Sequence, residues 1–374
     1  MSVVSKGLEG IVAAETRLGE VKGAEGVLFY CGYDINELAG KVSYEEVVHL
    51  LFYNRLPNQV ELDKLTTALR AERELPQGVI DFLKLAPKNA RPIDVMRTAV
   101  SMLGCYDMKR HDVEVGENLA TAIRLVSQIG VVAAYFHRAR QGLELPPVRK
   151  DLSEAAHFLY LMSGEVPSKE AEQTLDVAYV LHAEHGFNAS TFTARVVAST
   201  LSDMYSAISA GIGALKGPLH GGANEGVIHM LQEIGSLENV DTWVEEALAQ
   251  KKKIMGIGHR VYKVLDPRAP HLREMAIKLT SQLGEAKWIQ MSERIAEIMR
   301  ERKGLNANVD FYSATVYYSL DIPTDLFTPI FAIARMSGWT AHVLEQWSEN
   351  RLFRPLSEYV GRPYGQKVVP IAER

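Results

Sequence analysis

Cysteine is nearly missing from these 374 residues: only Cys31 and Cys105 are present, and they form no CxxC pair. A disulfide framework or a structural zinc site needs more thiols than that, so a reducing compartment is expected. Basic charge is also scarce, with 41 Lys and Arg against 46 Asp and Glu and a formal net charge of −5. No basic field is available to hold nucleic acid or an anionic bilayer, which leaves small molecules as the expected ligands. Long uncharged runs are lacking too. No segment reads as the ~18 apolar residues of a membrane span. The first residues break their short apolar run, Ile11 to Ala14, with Glu9 and Glu15, unlike a secretory leader. The expected location is cytoplasmic.

Internal repeats, low-complexity tracts and Pro/Ser linkers are missing as well, and so is period-2 alternation bounded by Asn-Gly or Asp-Gly turns, which a sheet protein of this length would show repeatedly. Helical grammar stands in their place. Ser43 and Glu46 form a capping-box pattern ahead of Val47, Val48, Leu50 and Leu51, which share one helical face. Pro57 and Asn58 end that helix and start another carrying Leu62, Leu65 and Leu69. Similar starts recur at Asp151 to Glu154, at Pro167-Ser168 and at Thr242 to Glu245, and Lys251 to Lys253 close a helix at the negative end of its dipole. Residues 188–217 are crowded with Ala, Ser, Thr and Gly, which lets helices approach closely in a buried central layer. The predicted class is all-α. The length allows two or three domains, with boundaries at the Gly-rich turn 217–222 and at Asp321-Ile322-Pro323.

Three segments carry chemistry. In Gly217-Pro218-Leu219-His220-Gly221-Gly222, proline stops a helix and the glycines let backbone approach a ligand. A histidine facing a helix N-terminus stays neutral and can donate to a carbonyl as charge builds there. The same residues read equally well as a glycine-rich connection with an incidental histidine. Met255-Gly256-Ile257-Gly258-His259-Arg260-Val261-Tyr262-Lys263, followed by Asp266-Pro267-Arg268, combines glycines, a histidine and cations in a loop suited to anionic groups. It is not a dinucleotide fingerprint, because Val261 stands where the third glycine belongs. In Asn308-Val309-Asp310-Phe311-Tyr312-Ser313, an acid among apolar residues could have a raised pKa and act as a general base. Taken alone, Asp310 reads better as a helix cap.

Together and in this order, the three segments resemble the catalytic motifs of the citrate synthase family. The resemblance extends to His182-Ala183-Glu184-His185-Gly186-Phe187-Asn188, to Phe331-Ala332-Ile333-Ala334-Arg335 and to Arg351-Leu352-Phe353-Arg354-Pro355, and it runs from about Gly7 to Gly361. It implies a two-domain helical fold, with residues 1–220 and 321–374 in a large domain and 221–320 inserted as a smaller one that closes over the substrates. It also implies condensation of acetyl-CoA with oxaloacetate. In that reading Asp310 is the base on the methyl carbon, His220 the donor to the thioester oxygen and His259 the donor to the ketone. Arg268, Arg335 and Arg354 hold the oxaloacetate carboxylates with His185, and Gly258, Arg260 and Lys263 meet CoA. Arg354 comes from the other subunit of a homodimer. No metal and no tightly bound cofactor are expected, with acyl-CoA acting as co-substrate, and no NADH control of the kind tied to the family's longer members.

Three rivals stand beside that reading. 2-Methylcitrate synthase, acting on propionyl-CoA, shares every motif. A metal-dependent hydrolase would use His182 and His185, three apart on a helix, but no HExxH supports it. A helical scaffold without activity would not need the acid-base residues intact. His182, Trp288, Trp339 and Trp347 are read as packing.

Overall fold

A computed structural model of the chain describes residues 4–109, 115–259, 261–284 and 286–374. It opens on a small antiparallel sheet of β1 (Gly19–Lys22), β2 (Val27–Tyr30) and β3 (Tyr33–Asp34), with Gly19 opposite Tyr30 and Phe29 opposite Asp34. This sheet is absent from the sequence reading. Its strands are too short for alternation to register over a usable window, and only β2 shows the period, burying Leu28 and Tyr30.

The other regular elements among the described residues are helices. α1 (Ile35–Leu38), α2 (Tyr44–Tyr53), α3 (Gln59–Ala71), α4 (Gln77–Leu85), α5 (Pro92–Tyr106) and α6 (Val115–Gln141) come first. Ser43 and Asn58 cap α2 and α3 through complete capping boxes closed by Glu46 and Glu61, each cap worth about 1 kcal/mol. α7 (Glu154–Ser163) and α8 (Lys169–His182) start from Ser153 and Ser168, so the first begins two residues later than Asp151 would place it. α9 (Ala189–Ser199) and α10 (Met204–Leu215) are the segment rich in small residues. They pack on each other, and at Gly211 an added Cβ would lie 3.4 Å from Ser190 O.

α11 (Ala223–Ile234), α12 (Val240–Ala249), α13 (Ala269–Leu283), α14 (Lys287–Lys303) and α15 (Val309–Ser319) pack largely among themselves. The helix read from Thr242 begins at Val240. α16 (Phe327–Ser348) then returns through the centre against α2, α6, α8, α9 and α10, buried almost throughout. Trp288 and Trp339 are buried, and Trp347 is half-buried against the same core. Cys31 and Cys105 are free thiols.

One stretch corrects the sequence reading. Asn118–Gln141 within α6 is long and apolar enough, by length and composition, to cross a membrane. Its apolar surface is spent inside the molecule, since 72% of the most apolar window is buried against neighbours that include α5, α7 and α16. A core helix of a large bundle is apolar on most of its faces for the same reason a membrane helix is.

Candidate active site

His220 lies in the turn between α10 and α11, half-buried. Its Nε2 accepts from the backbone N–H of Ser190 at 3.3 Å and lies 2.8 Å from Ser190 Oγ. Ser190 sits in the first turn of α9, where backbone N–H groups have no partner inside the helix. Trp339 Nε1 donates to the same hydroxyl at 3.1 Å. An Nε2 that accepts leaves the proton on Nδ1, so the ring offers an N–H donor there. Burial, and then the charge of Arg335, lowers the imidazole to about 4, so it is neutral at physiological pH. Neutrality was expected from the N-terminus of α11; the structure supplies burial and the first turn of α9 instead.

His259 has the opposite tautomer. Its Nδ1 accepts from the backbone N–H groups of Val261 at 3.0 Å and Tyr262 at 3.1 Å, which leaves the proton on Nε2. Burial, reinforced by Arg268, lowers this ring to about 4 as well. The His185 ring stands edge-on to His259 with centroids 5.7 Å apart, and its Nε2 is 3.1 Å from Tyr262 Oη. Burial and the neighbouring Arg268 and Arg335 hold His185 well below the usual imidazole range.

The loop bearing His259 is stitched to the start of α15. Gly258 N donates to Asn306 O at 2.8 Å, Asn308 N to Gly256 O at 2.9 Å, and Asn308 Nδ2 to Gly258 O at 2.8 Å. Gly256 and Gly258 both take left-handed φ, +73° and +79°, where a Cβ would be penalised. The cap reading of Asp310 is corrected here: Asn308 is the N-cap, and its Oδ1 accepts from Asp310 N at 3.0 Å. Freed from capping, Asp310 holds its Oδ1 buried and without a hydrogen-bond partner. Burial raises the carboxyl to about 6 against the pull of Arg268, with Asp266 adding to the rise and Arg335 opposing it.

Two guanidiniums complete the cleft. Arg335 is 1% exposed, spends Nε on His182 O at 2.6 Å, and leaves Nη1 buried and unpartnered. Burial lowers it only to about 10, so it remains a cation. Arg268, equally buried, grips Asp266 through Nε at 2.9 Å and Nη2 at 2.8 Å. Asp266 Oδ2 also accepts from Val309 N at 3.1 Å, tying this arginine to the helix that carries Asp310. A buried donor on a cation with no acceptor is costly, and a ligand anion would relieve it. His182 is packing, as read: it is fully buried, with Nδ1 2.8 Å from Ala178 O and its ring edge-on to Phe331. Among the described residues no three His, Cys, Asp or Glu side chains converge to hold a metal ion.

A cavity of about 190 Å³ opens beside His259, with Gly258, Lys263 and Asn308 in its wall. Arg260 lies outside the described residues. Arg354 is not brought to this cleft within the chain: it is exposed, on the tail that follows α16. That tail is fixed at its base by Phe353 N to Ser199 Oγ at 3.1 Å and Asn350 Nδ2 to Ser199 O at 3.0 Å. Sequence reasoning passed over Ser190, Tyr262, Asp266 and Asn308 as working parts. Of these, only the Asx-type cap at Asn308 carried a local signal.

The cleft thus sets two neutral imidazole donors and a carboxylate of raised pKa around two buried cations, the equipment of an enzyme that makes and uses a carbanion next to an anionic substrate. The family pattern described as "Citrate synthase, C-terminal domain" matches residues 7–356, and the chain belongs to the citrate synthase family. It is 50% identical over 371 residues to citrate synthase 2 of Bacillus subtilis, covering 99% of each chain. It is 42% identical to the 2-methylcitrate synthase of Shewanella oneidensis, covering 98% of this chain and 97% of that one. The structure of citrate synthase from Thermoplasma acidophilum, a ternary complex with carboxymethyl coenzyme A and oxaloacetate, superposes with a TM-score of 0.94 at 33% identity over 100% of both chains.

Proposed function

We propose that this cleft condenses acetyl-CoA with oxaloacetate and water to give citrate and CoA. The observation that carries the reading is Asp310: a carboxylate raised to about 6 with a buried, unpartnered oxygen, near Arg268 and Arg335. A methyl proton beside a thioester is far less acidic than a carboxylic acid, so a carboxylate can take it only if the developing oxyanion is stabilised in the same step. Nδ1–H of His220 fits that role, because a neutral donor strengthens as charge arrives. The nucleophilic carbon then attacks the ketone of oxaloacetate while Nε2–H of His259 meets the ketone oxygen, and water hydrolyses the resulting citryl thioester. Arg335 and Arg268 supply cations for a dianionic partner, since guanidiniums pair with carboxylates through paired hydrogen bonds. CoA would lie along Gly258, Arg260 and Lys263. Residues 221–320 would act as the small domain, closing to exclude water until the carbon–carbon bond is made.

The relative named 2-methylcitrate synthase keeps one second reading in view, because one extra methylene shifts discrimination by only ~1–3 kcal/mol. Steady-state comparison of acetyl-CoA and propionyl-CoA with oxaloacetate, following thiol release, decides it. A higher kcat/KM is expected for acetyl-CoA; the reverse order would assign the chain to 2-methylcitrate synthesis, and no thiol release with either would end the whole reading.

The working unit in this proposal is a homodimer in which Arg354 crosses to the second copy. Beyond Phe353 the tail is exposed, with Leu356, Val360, Tyr364 and Val368 each 87% exposed or more, apolar surface of the kind that marks a partner face. Arg354→Ala and Asp310→Asn should each be nearly inactive, while unfolding and refolding the two together should restore activity through hybrids that hold one intact site. An active Arg354→Ala would place Arg354 outside the site, and inactive parents with a mixture no more active than either would place it in its own subunit's site.

A further inference from the structure

The hairpin of β1 and β2 reaches from one side of the cleft to the other. Its base is fastened beside His185: Tyr30 Oη donates to Leu181 O at 3.2 Å, and a Cβ added at Gly19 would stand 2.9 Å from the Glu184 side chain. Its tip lands on the loop that carries His259. Lys263 N donates to Gly23 O at 2.9 Å, and a Cβ at Gly23 would be 2.3 Å from Val261 O and 2.8 Å from Val261 C. At Gly26 a Cβ would be 2.6 Å from Val264 Cγ2 and 3.0 Å from Leu265 O. Farther along, His271 Nε2 lies 2.8 Å from Asn36 Oδ1, a second tie between this region and α13.

The peptide that Gly23 abuts is the one that matters for His259. Its carbonyl belongs to Val261, and its N–H, that of Tyr262, donates to His259 Nδ1; the Val261 N–H does the same one residue earlier. The Val261–Tyr262 peptide is therefore held between the hairpin tip and the imidazole. Tyr262 also carries the hydroxyl that meets His185.

We infer that the hairpin tip is the seat of the His259 loop and that Gly23 is a positioning residue, its bare α-carbon allowing the Val261–Tyr262 peptide to sit where both N–H groups reach His259 Nδ1. Gly23 is not among the residues with left-handed φ, so alanine there meets no backbone penalty. The nearest atoms it meets are those of Val261. Such an alanine would push on the peptide, loosen the two bonds that fix the tautomer, and turn Nε2–H away from the ketone.

The inference rests on His259 acting as donor to the ketone, and the test separates the two. Gly23→Ala should still fold, with a modestly lowered melting temperature because the added Cβ displaces backbone, and should lower kcat, at saturating concentrations of both substrates, by about tenfold or more, the scale on which small misplacements act. It should leave exchange of the acetyl-CoA methyl protons with D2O near the wild-type rate when a non-condensing dicarboxylate fills the oxaloacetate site, because that step uses Asp310 and His220. A general loss of structure would slow both. Gly26→Ala and Gly32→Ala form a matched pair should Gly23→Ala fail to fold. Both positions have left-handed φ, +70° and +86°, but a Cβ at Gly32 meets nothing within 4 Å, so Gly26→Ala should have the lower kcat. Normal kcat in Gly23→Ala, or equal kcat in the matched pair, overturns the inference if His259→Ala is inactive; normal kcat in His259→Ala removes its foundation instead.

Discussion

Asp310→Asn is expected to lower kcat by about 10³-fold, within the range that a positioned general base supplies, while oxaloacetate binding measured by calorimetry stays near that of the unmodified enzyme. Asparagine matches the carboxylate in shape and leaves the Asn308 cap intact, since that bond uses the backbone N–H of residue 310. The effect should therefore fall on chemistry rather than on folding. A pH profile gives the same assignment independently. The folded carboxyl sits at about 6 and must be ionised to accept a proton, so kcat/KM of the unmodified enzyme, which reports the free enzyme's groups, should fall as pH drops through about 6. His220 and His259, at about 4, are neutral across that limb and contribute nothing to it. The residual activity of Asp310→Asn should lack the limb. A variant with normal kcat would assign the base elsewhere.

The second large effect belongs to Arg335. Its guanidinium is buried, bonded once to His182 O, and left with an Nη1 that no protein atom satisfies. Truncating one partner of a buried charge-assisted pair costs about 2–5 kcal/mol, so Arg335→Leu should raise KM for oxaloacetate by about 100-fold and weaken its binding to match. Removing a buried cation also relieves its desolvation, so thermal stability should not fall in proportion. The measurements are steady-state kinetics with oxaloacetate varied at saturating acetyl-CoA, and calorimetric titration of oxaloacetate. An unchanged KM would take Arg335 out of the carboxylate site.

What could be read from residues alone follows how local each signal is. Ser43–Glu46 and Asn58 announced two helix starts because a capping box is complete within four positions. The small residues of α9 and α10 announced a close-packed layer for the same reason. The three chemical segments were legible as candidates, but Asp310 taken alone favoured a cap, and only the structure shows Asn308 filling that place. His220 was given the right protonation for an incomplete reason, because Ser190 meets it from 30 positions earlier and is itself held by Trp339 from another helix. The tie of Asp266 to Val309, the contact of Tyr262 with His185, and the seat that Gly23 gives Val261 join residues too distant in sequence for any periodicity to register. The sheet escaped because its strands are short, and α6 was judged by its charges although its apolar faces are filled by other helices.

The central claim is that Asp310 and His220 together generate a carbon nucleophile before His259 is called upon, and proton exchange isolates that step. With a dicarboxylate carrying a hydroxyl in place of the ketone, the methyl group of acetyl-CoA should exchange into D2O in the unmodified enzyme and in His259→Ala, and should cease to exchange in Asp310→Asn. Undiminished exchange in Asp310→Asn would contradict the account.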